Sequence, residues 1–327
     1  MTRSNRKEMI AMPVKVDVFD DFHVHGASAP AWNQRYSQLS SGAMRSSLTE
    51  ATASGVHVFH KWMSERVVQQ GCLPAGEICF ALLQGAPDAT PRVQGRELRD
   101  DSFLVLGSGE EFTIQRPKGM ELLAVTFREE DFRRLLDERP LSQQARSLLS
   151  RHVLQAPAGA LRRVRQDLRQ LLQRPATRQP GMDAPMAPTM LFESLRDLLE
   201  QAAGSRESVA SSSAGFIVEE CHRIVAGSGH SPPGIDALCR RLRTSRRSLQ
   251  SGFRQVTGTT ATHYLRNLRL NLVRQRLGST SQAELSVAQA ATDQGFIHLS
   301  HFAASYKGLF GELPSQTSRL EADDTRR

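Results

Sequence analysis

Between Asp17 and Phe127 the apolar residues come in short runs, 56–59, 78–83, 103–106 and 122–127, separated by turn-forming residues. Runs of this length bounded by glycine and proline have the pattern of strands. The punctuation is dense, from Gly71, Pro74 and Gly76 through Gly85, Pro87, Gly95, Gly107 and Gly109 to Pro117 and Gly119. It predicts a compact antiparallel domain, a barrel or jelly roll.

After Arg128 the texture changes to charged helical segments over 129–138, 142–153 and 161–172. In the last of these Leu161, Val164, Leu168, Leu171 and Leu172 fall at helical spacing, a stripe that either packs on the β domain or pairs two copies of the chain. Two loose stretches, 174–188 and 202–213, flank a short helix around 191–199. The second has a Ser-rich run and reads as an interdomain linker acting mainly as a tether. An α+β organisation follows: a sensory β domain over 1–139, accessory or dimerisation helices and linker over 140–213, and an all-α domain over 214–320.

The helical domain contains an internal repeat. Ser245, Leu249, Phe253 and Gly258 recur as His298, Phe302, Tyr306 and Gly311, displaced by 53 positions. Each unit reads as helix, tight turn, helix. In the first, Ile235, Leu238, Cys239 and Leu242 give a short helix one apolar face, Arg243 and Thr244 make the turn, and Ser245 is a natural N-cap. Leu249, Phe253 and Val256 then face inward until Gly258 ends the helix. The outward face carries Arg247, Gln250, Ser251 and Arg254, with Arg246 beside them. An isolated helix of this kind could be only a solvated basic face. Behind a short helix and a tight turn it fits the major groove, where Arg pairs with guanine, Gln pairs with adenine and further Arg side chains neutralise phosphates.

The second unit starts with a capping-box pattern at Ser286 and Gln289, packs through Val287, Ala290 and Ala291, and turns at Gln294 and Gly295. Phe302, Tyr306 and Leu309 face inward, leaving Ser300, His301, Ala304 and Lys307 outward. His298 is expected to cap this helix, with a base or phosphate contact as its second role. Residues 260–277 are long enough for one rigid helix, with Leu265, Leu268 and Leu272 inward and Arg266, Arg269, Arg274 and Arg276 interspersed. Such a spacer would set the two heads about 34 Å apart, one turn of DNA.

Composition agrees. A net charge of +8 and a pI near 9.8 favour an anionic partner, nucleic acid ahead of a membrane surface. No apolar run approaches the ~18 residues of a membrane span, and the first residues lead into no signal-peptide core, so a cytoplasmic protein is expected. Cys72, Cys79, Cys221 and Cys239 form no C-x-x-C pair and read as ordinary buried thiols, with a redox pair of Cys72 and Cys79 as the alternative. His23, His25, His57 and His60 raise the competing reading of a metal-dependent enzyme. On strands His23 and His25 would share a face and His57 and His60 would not, and no carboxylate is obvious beside them. Hence no metal, no cofactor and no catalysis are expected. A protein-interaction regulator that does not itself touch DNA is a third reading, against which the exposed basic faces argue.

The stretches Ser245-Arg246-Arg247-Ser248-Leu249-Gln250-Ser251-Gly252-Phe253, Tyr264-Leu265-Arg266 with Arg269-Leu270, and Gly295-Phe296 leading through Phe302 and Tyr306 to Phe310-Gly311-Glu312-Leu313-Pro314 resemble the DNA-binding domain of AraC/XylS-type regulators. The resemblance covers about a third of the chain. It implies base contacts at Arg247, Gln250 and Ser251, and places Ser300, His301 and Ala304 in the groove. Many members carry Arg where Ala304 stands, so the second head is expected to bind less strongly or through the backbone. The stretch 296–302 is similar to the ethanolamine-operon regulator branch. Members commonly join this domain to a sensory region, and the β texture here is similar to the cupin-like sort. The implied function is a sequence-specific transcriptional regulator with double-stranded DNA as partner. RNA polymerase is a second partner, since members often activate that way, and a small-molecule effector and a homodimer stay open. No effector-binding residue can be matched one by one.

Overall fold

The computed structural model describes residues 14–84, 90–173, 186–204 and 212–320, so most of the Ser-rich run and most of the 174–188 stretch lie outside the described residues. Twelve strands are described: β1 Val14–Phe19, β2 Arg35–Gln38, β3 Ser46–Ala53, β4 Val56–Met63, β5 Val67–Cys72, β6 Glu77–Gln84, β7 Arg92–Val93, β8 Arg96–Glu97, β9 Ser102–Leu106, β10 Glu111–Arg116, β11 Glu121–Arg128 and β12 Val153–Gln155. The helices are α1 Phe22–Ala27, α2 Glu129–Glu138, α3 Gln143–Leu148, α4 Ala158–Gln173, α5 Met186–Ala203, α6 Ser213–Ala226, α7 Ile235–Arg241, α8 Arg246–Thr257, α9 Ala261–Gly278, α10 Val287–Asp293 and α11 Leu299–Phe310.

The strands form two antiparallel sheets, ordered β1-β3-β4-β11-β6-β9-β12 and β2-β5-β10-β7-β8. They face one another as an open sandwich around Leu48, Phe59, Leu83, Leu106, Phe112 and Ile114, and no closed barrel forms among the described residues. The larger sheet is covered on its other side by α2 to α5, through Phe80, Leu82, Val125, Leu161, Leu168 and Phe192. Burial on both faces is why β6 and β11 read as unbroken apolar runs rather than as alternation. The stripe of α4 is spent here, inside the chain, with Leu161, Val164 and Leu168 buried.

One helix expectation is corrected. Only 143–148 of the 142–153 segment is helical, and β12 follows, pairing Val153 with Leu104 and Leu154 with Phe103 at the edge of the larger sheet. The β-branched and apolar side chains there gain burial by extending β9's pairing, which local helix periodicity does not anticipate.

In the C-terminal domain α6 to α9 enclose a core of Val218, Leu238, Leu249, Phe253, Tyr264 and Leu268. A second core of Leu270, Val273, Leu277, Ala290, Phe302 and Tyr306 joins α9 to α10 and α11. Thus α9 belongs to both units. Ser245, Thr260 and Ser286 accept from backbone N–H groups of the first turns of α8, α9 and α10, and Gly258 and Gly311 end α8 and α11 at φ 69° and 81°, a left-handed conformation in which glycine carries no Cβ penalty. The Gln289 half of the capping box is not made: its amide donates to Asp293 instead.

The two domains are docked against each other. Asn271 on α9 accepts from Gln38 N at 2.7 Å and donates to Gln38 O at 2.8 Å, while Asn267 donates to Leu39 O. Arg274, buried on α9 against the Phe310 ring, bridges Asp21 at 2.7 Å and Glu312 at 2.5 Å. Arg66 donates to Thr257 O and Gln38 Nε2 donates to Leu309 O, so N-terminal side chains satisfy carbonyls at the ends of both α8 and α11. The view of a sensory domain held mainly by a tether is therefore replaced by one of packed domains.

Candidate nucleic-acid interface

The helix-turn-helix units are α7–α8 and α10–α11. Their first helices are offset by 52 positions and their second by 53, so the second turn carries one extra residue. At the matching turn position Arg243 sits at φ 50° and Gly295 at φ 79°, so the first unit holds a side chain in the left-handed region that glycine occupies in the second.

On α8, Arg246, Arg247, Ser251 and Arg254 are exposed, opposite buried Leu249, Gly252 and Phe253. Arg246 lies 3.8 Å from the Asp236 carboxylate of α7, across the turn. Gln250 is partly covered, and its carbonyl oxygen accepts from Ala261 N at 3.2 Å, so it caps α9 and its amide is not free on both atoms. This long-range tie leaves no local sequence signal.

On α11, Ser300, His301, Ala304 and Lys307 are all exposed, opposite Phe302 and Tyr306. His298 occupies the N-cap position with extended backbone but makes no side-chain capping bond, which corrects its expected role. The exposed imidazole packs near that of His301 instead. Sequence reasoning passed over Ile297 and Leu299 beside it, which are exposed despite being apolar. An apolar group on a reading head suits a thymine methyl.

The arginines of α9 divide by task. Arg269 donates to the carbonyls of Pro232 and Pro233, Arg274 joins the domains, and Arg276 pairs with Asp293 of α10 at 2.7 Å. Arg266 alone of the four is exposed. Much of the basic charge that looked available to phosphates is thus spent on fixing the heads.

The histidines of the β domain do not converge. His23 and His25 lie on α1, not on a strand, two residues apart and so on different sides of the helix. His25 is buried, its Nδ1 2.6 Å from Ser46 Oγ, and burial brings it down to about 3, so the ring is neutral. His57 and His60 stand on opposite faces of β4, each beside a carboxylate that spacing concealed: Glu50 at 3.1 Å and Glu121 at 3.3 Å. Among the described residues no group of three metal-ligating side chains converges. Cys72 and Cys79 sit on different sheets, both as free thiols, and burial pushes Cys79 up to about 12.

Residues 238–320, running from within α7 past α11, match a helix-turn-helix domain family. The chain is 41% identical over 86 residues to XylDLEGF operon transcriptional activator 2 of Pseudomonas putida, covering 26% of this chain and 55% of the relative. It is 28% identical over 133 residues to the HTH-type transcriptional activator RhaR of Escherichia coli O1:K1 / APEC, covering 41% and 46%. The chain thus spans about half the length of these curated relatives. Among solved structures, the AraC-like transcriptional activator CuxR overlays with a TM-score of 0.41 at 13% identity, covering 78% of this chain and 94% of that one. Two helix-turn-helix units, the helix that fixes them and the sequence match all fall on the same residues, and this C-terminal domain is a DNA-binding domain of the AraC/XylS family of transcriptional regulators.

Proposed function

We propose that the chain binds a bipartite site in double-stranded DNA and regulates transcription from it in response to a small molecule sensed by its N-terminal domain. The observation that carries this is the solvent face of α8, where Arg246, Arg247, Ser251 and Arg254 stand together over an apolar face buried in the same domain. In that reading Arg247 reads a base, Arg254 and Arg246 neutralise phosphates, and Ser251 and Gln250 complete the first head. Ser300, His301, Ala304 and Lys307 form the second head, flanked by His298. It is chemically poorer, and a shorter contact set is its consequence.

Both curated relatives are named as activators, and activation through contact with RNA polymerase is the mode we assign. One chain carries both heads, so the reading does not require a homodimer. No described helix is long and apolar enough to cross a membrane. Catalysis forms no part of the reading.

The test is a mobility-shift titration of the full chain on DNA recovered by genome-wide mapping of its bound sites, over a range of salt. If several phosphates are engaged, log K falls with log salt at roughly −0.9 per phosphate. Salt-independent binding, or no preference for mapped over scrambled DNA, would overturn the proposal.

A further inference from the structure

β1 stands at one end of the larger sheet, paired with β3 on one side and with no described strand on the other. The outward N–H and C=O groups of such an edge are a template for another strand. At the opposite end β12 is three residues long, whereas β1 runs for six with no proline or glycine inside it.

Alternation divides β1 into two faces. Val14, Val16 and Val18 stand opposite Ala51, Thr49 and Ser47 of β3, and Ala51 belongs to the core beneath α2 to α5. That helical cover does not reach the far part of the edge, where Val16 is 62% exposed and Val18 75%. The other face carries Lys15 and Asp17, ion-paired to each other at 2.6 Å, with Glu50 3.9 Å from the same ammonium. The two valines gain little burial from their own chain, and together they make an apolar strip along an open edge.

A two-fold pairing of this strand with its own copy has few registers. Residues directly opposite in an antiparallel pair lie on one face, so the axis must pass through a residue position and not between two. Centred on Lys15, the pairing sets lysine against lysine. Centred on Asp17, it sets aspartate against aspartate. Centred on Val16, it sets Val16 against Val16, Val14 against Val18, and Lys15 against Asp17 on both sides of the axis. Opposite charges across a strand pair stabilise it and like charges do the reverse. The strand is therefore self-complementary in its central register and repulsive in the two beside it.

We propose that β1 pairs antiparallel with β1 of a second copy of this chain, centred on Val16, so that the two larger sheets become one continuous sheet. The helical stripe of α4, the other candidate for pairing two copies, is buried within its own chain. Six residues a side make a small contact, so the dimer is weak and concentration-dependent. Two chains, each with two heads, then reach neighbouring stretches of DNA as a unit. The pairing does not depend on which bases those heads read.

The test is the oligomeric state of the full chain without DNA, by sedimentation velocity over a range of micromolar concentrations. The parent is expected to show a reversible monomer–dimer equilibrium. Lys15→Glu sets acidic side chains against each other on both sides of the axis, and Asp17→Lys does the same with lysines, so each variant alone should dimerise at least about tenfold more weakly. Mixed in equal amounts, the two variants restore opposite charges at both places, and the mixed dimer should recover the parent's affinity. Val16→Cys brings two thiols together across the axis and should be captured by mild oxidation as a disulfide-linked dimer above the parent's background. Val18→Cys, more exposed but opposite Val14, should not. A chain that stays monomeric throughout, single variants that dimerise as the parent does, or variants that stay apart when mixed overturns the proposal. Equal cross-linking through Val16→Cys and Val18→Cys overturns the register.

Discussion

Replacing Asn271 by alanine removes a carboxamide that pairs with the end of β2 as a neighbouring strand would. Its Oδ1 accepts from Gln38 N at 2.7 Å, and its Nδ2 donates to Gln38 O at 2.8 Å and to Asn267 O at 2.7 Å. Gln38 and Asn271 are both buried, so in the variant the N–H and C=O of Gln38 lose their partner away from solvent. Each buried group so stranded costs about 1–3 kcal/mol, which puts the loss at roughly 2–6 kcal/mol for the two. The better helix propensity of alanine offsets about 0.5 kcal/mol. The loss is also capped by the free energy of docking, because the domains can separate and let water reach Gln38. Since Gln38 belongs to the other domain, fragment 212–320 should show no loss, and a slight gain is expected there from propensity alone. Urea unfolding of the full chain and the fragment, followed by circular dichroism, makes the comparison, with the C-terminal transition of the full chain moving to lower urea. A loss of equal size in both proteins, or none in the full chain, would refute the idea that this pairing is an interdomain contact.

Three further outcomes are expected. Arg247→Ala should relax sequence choice at one base pair at a cost of about 1–3 kcal/mol there, whereas Arg254→Ala should weaken all sequences alike and flatten the salt slope by about one unit; identical behaviour in binding titrations would show the face assignment to be wrong. Lys61 has a folded-state pKa near 7, below its ordinary 10.5, so between those values the unfolded chain holds a proton that the folded chain has released. Stability of the ligand-free protein should therefore rise with pH across that window and lose a contribution on the order of a few kcal/mol below it, among the charges of Arg116 and Glu50, and denaturation at several pH values should find this slope gone in Lys61→Met. Arg243→Gly should leave the fold of the first turn intact and relieve about 1 kcal/mol of left-handed strain, read as a raised melting temperature of fragment 212–320; a lowered one would mean that the side chain has a structural role at the turn.

The elements most legible in the sequence were those whose signal is local. The periods and caps of α8 and α9, the glycine ends at Gly258 and Gly311, and the double-sided burial that makes β6 and β11 continuous can all be read within a few residues. What escaped is what depends on distant partners. Gln250 looks free on its own helix, but Ala261, 11 positions later, claims its oxygen. Arg274 looks like one more basic residue until Asp21, 253 positions earlier, is placed beside it. The faces of His23 and His25 were misjudged because a two-residue spacing means one side on a strand and different sides on a helix. β12 was hidden because three residues at a sheet edge take their structure from β9, not from their own propensity.

The carbonyls of Thr257 and Leu309 close the two reading helices at nearly equivalent points of the repeat, and both are held by side chains of one body, Arg66 and Gln38 of the β domain. A movement of that body is a common-mode input. It reaches the ends of both helices at once, because Gln38 at the end of β2 and Arg66 before β5 move with the same domain. The two half-sites of an operator would then be gained or surrendered together, so that occupancy behaves as one switch rather than as two graded contacts.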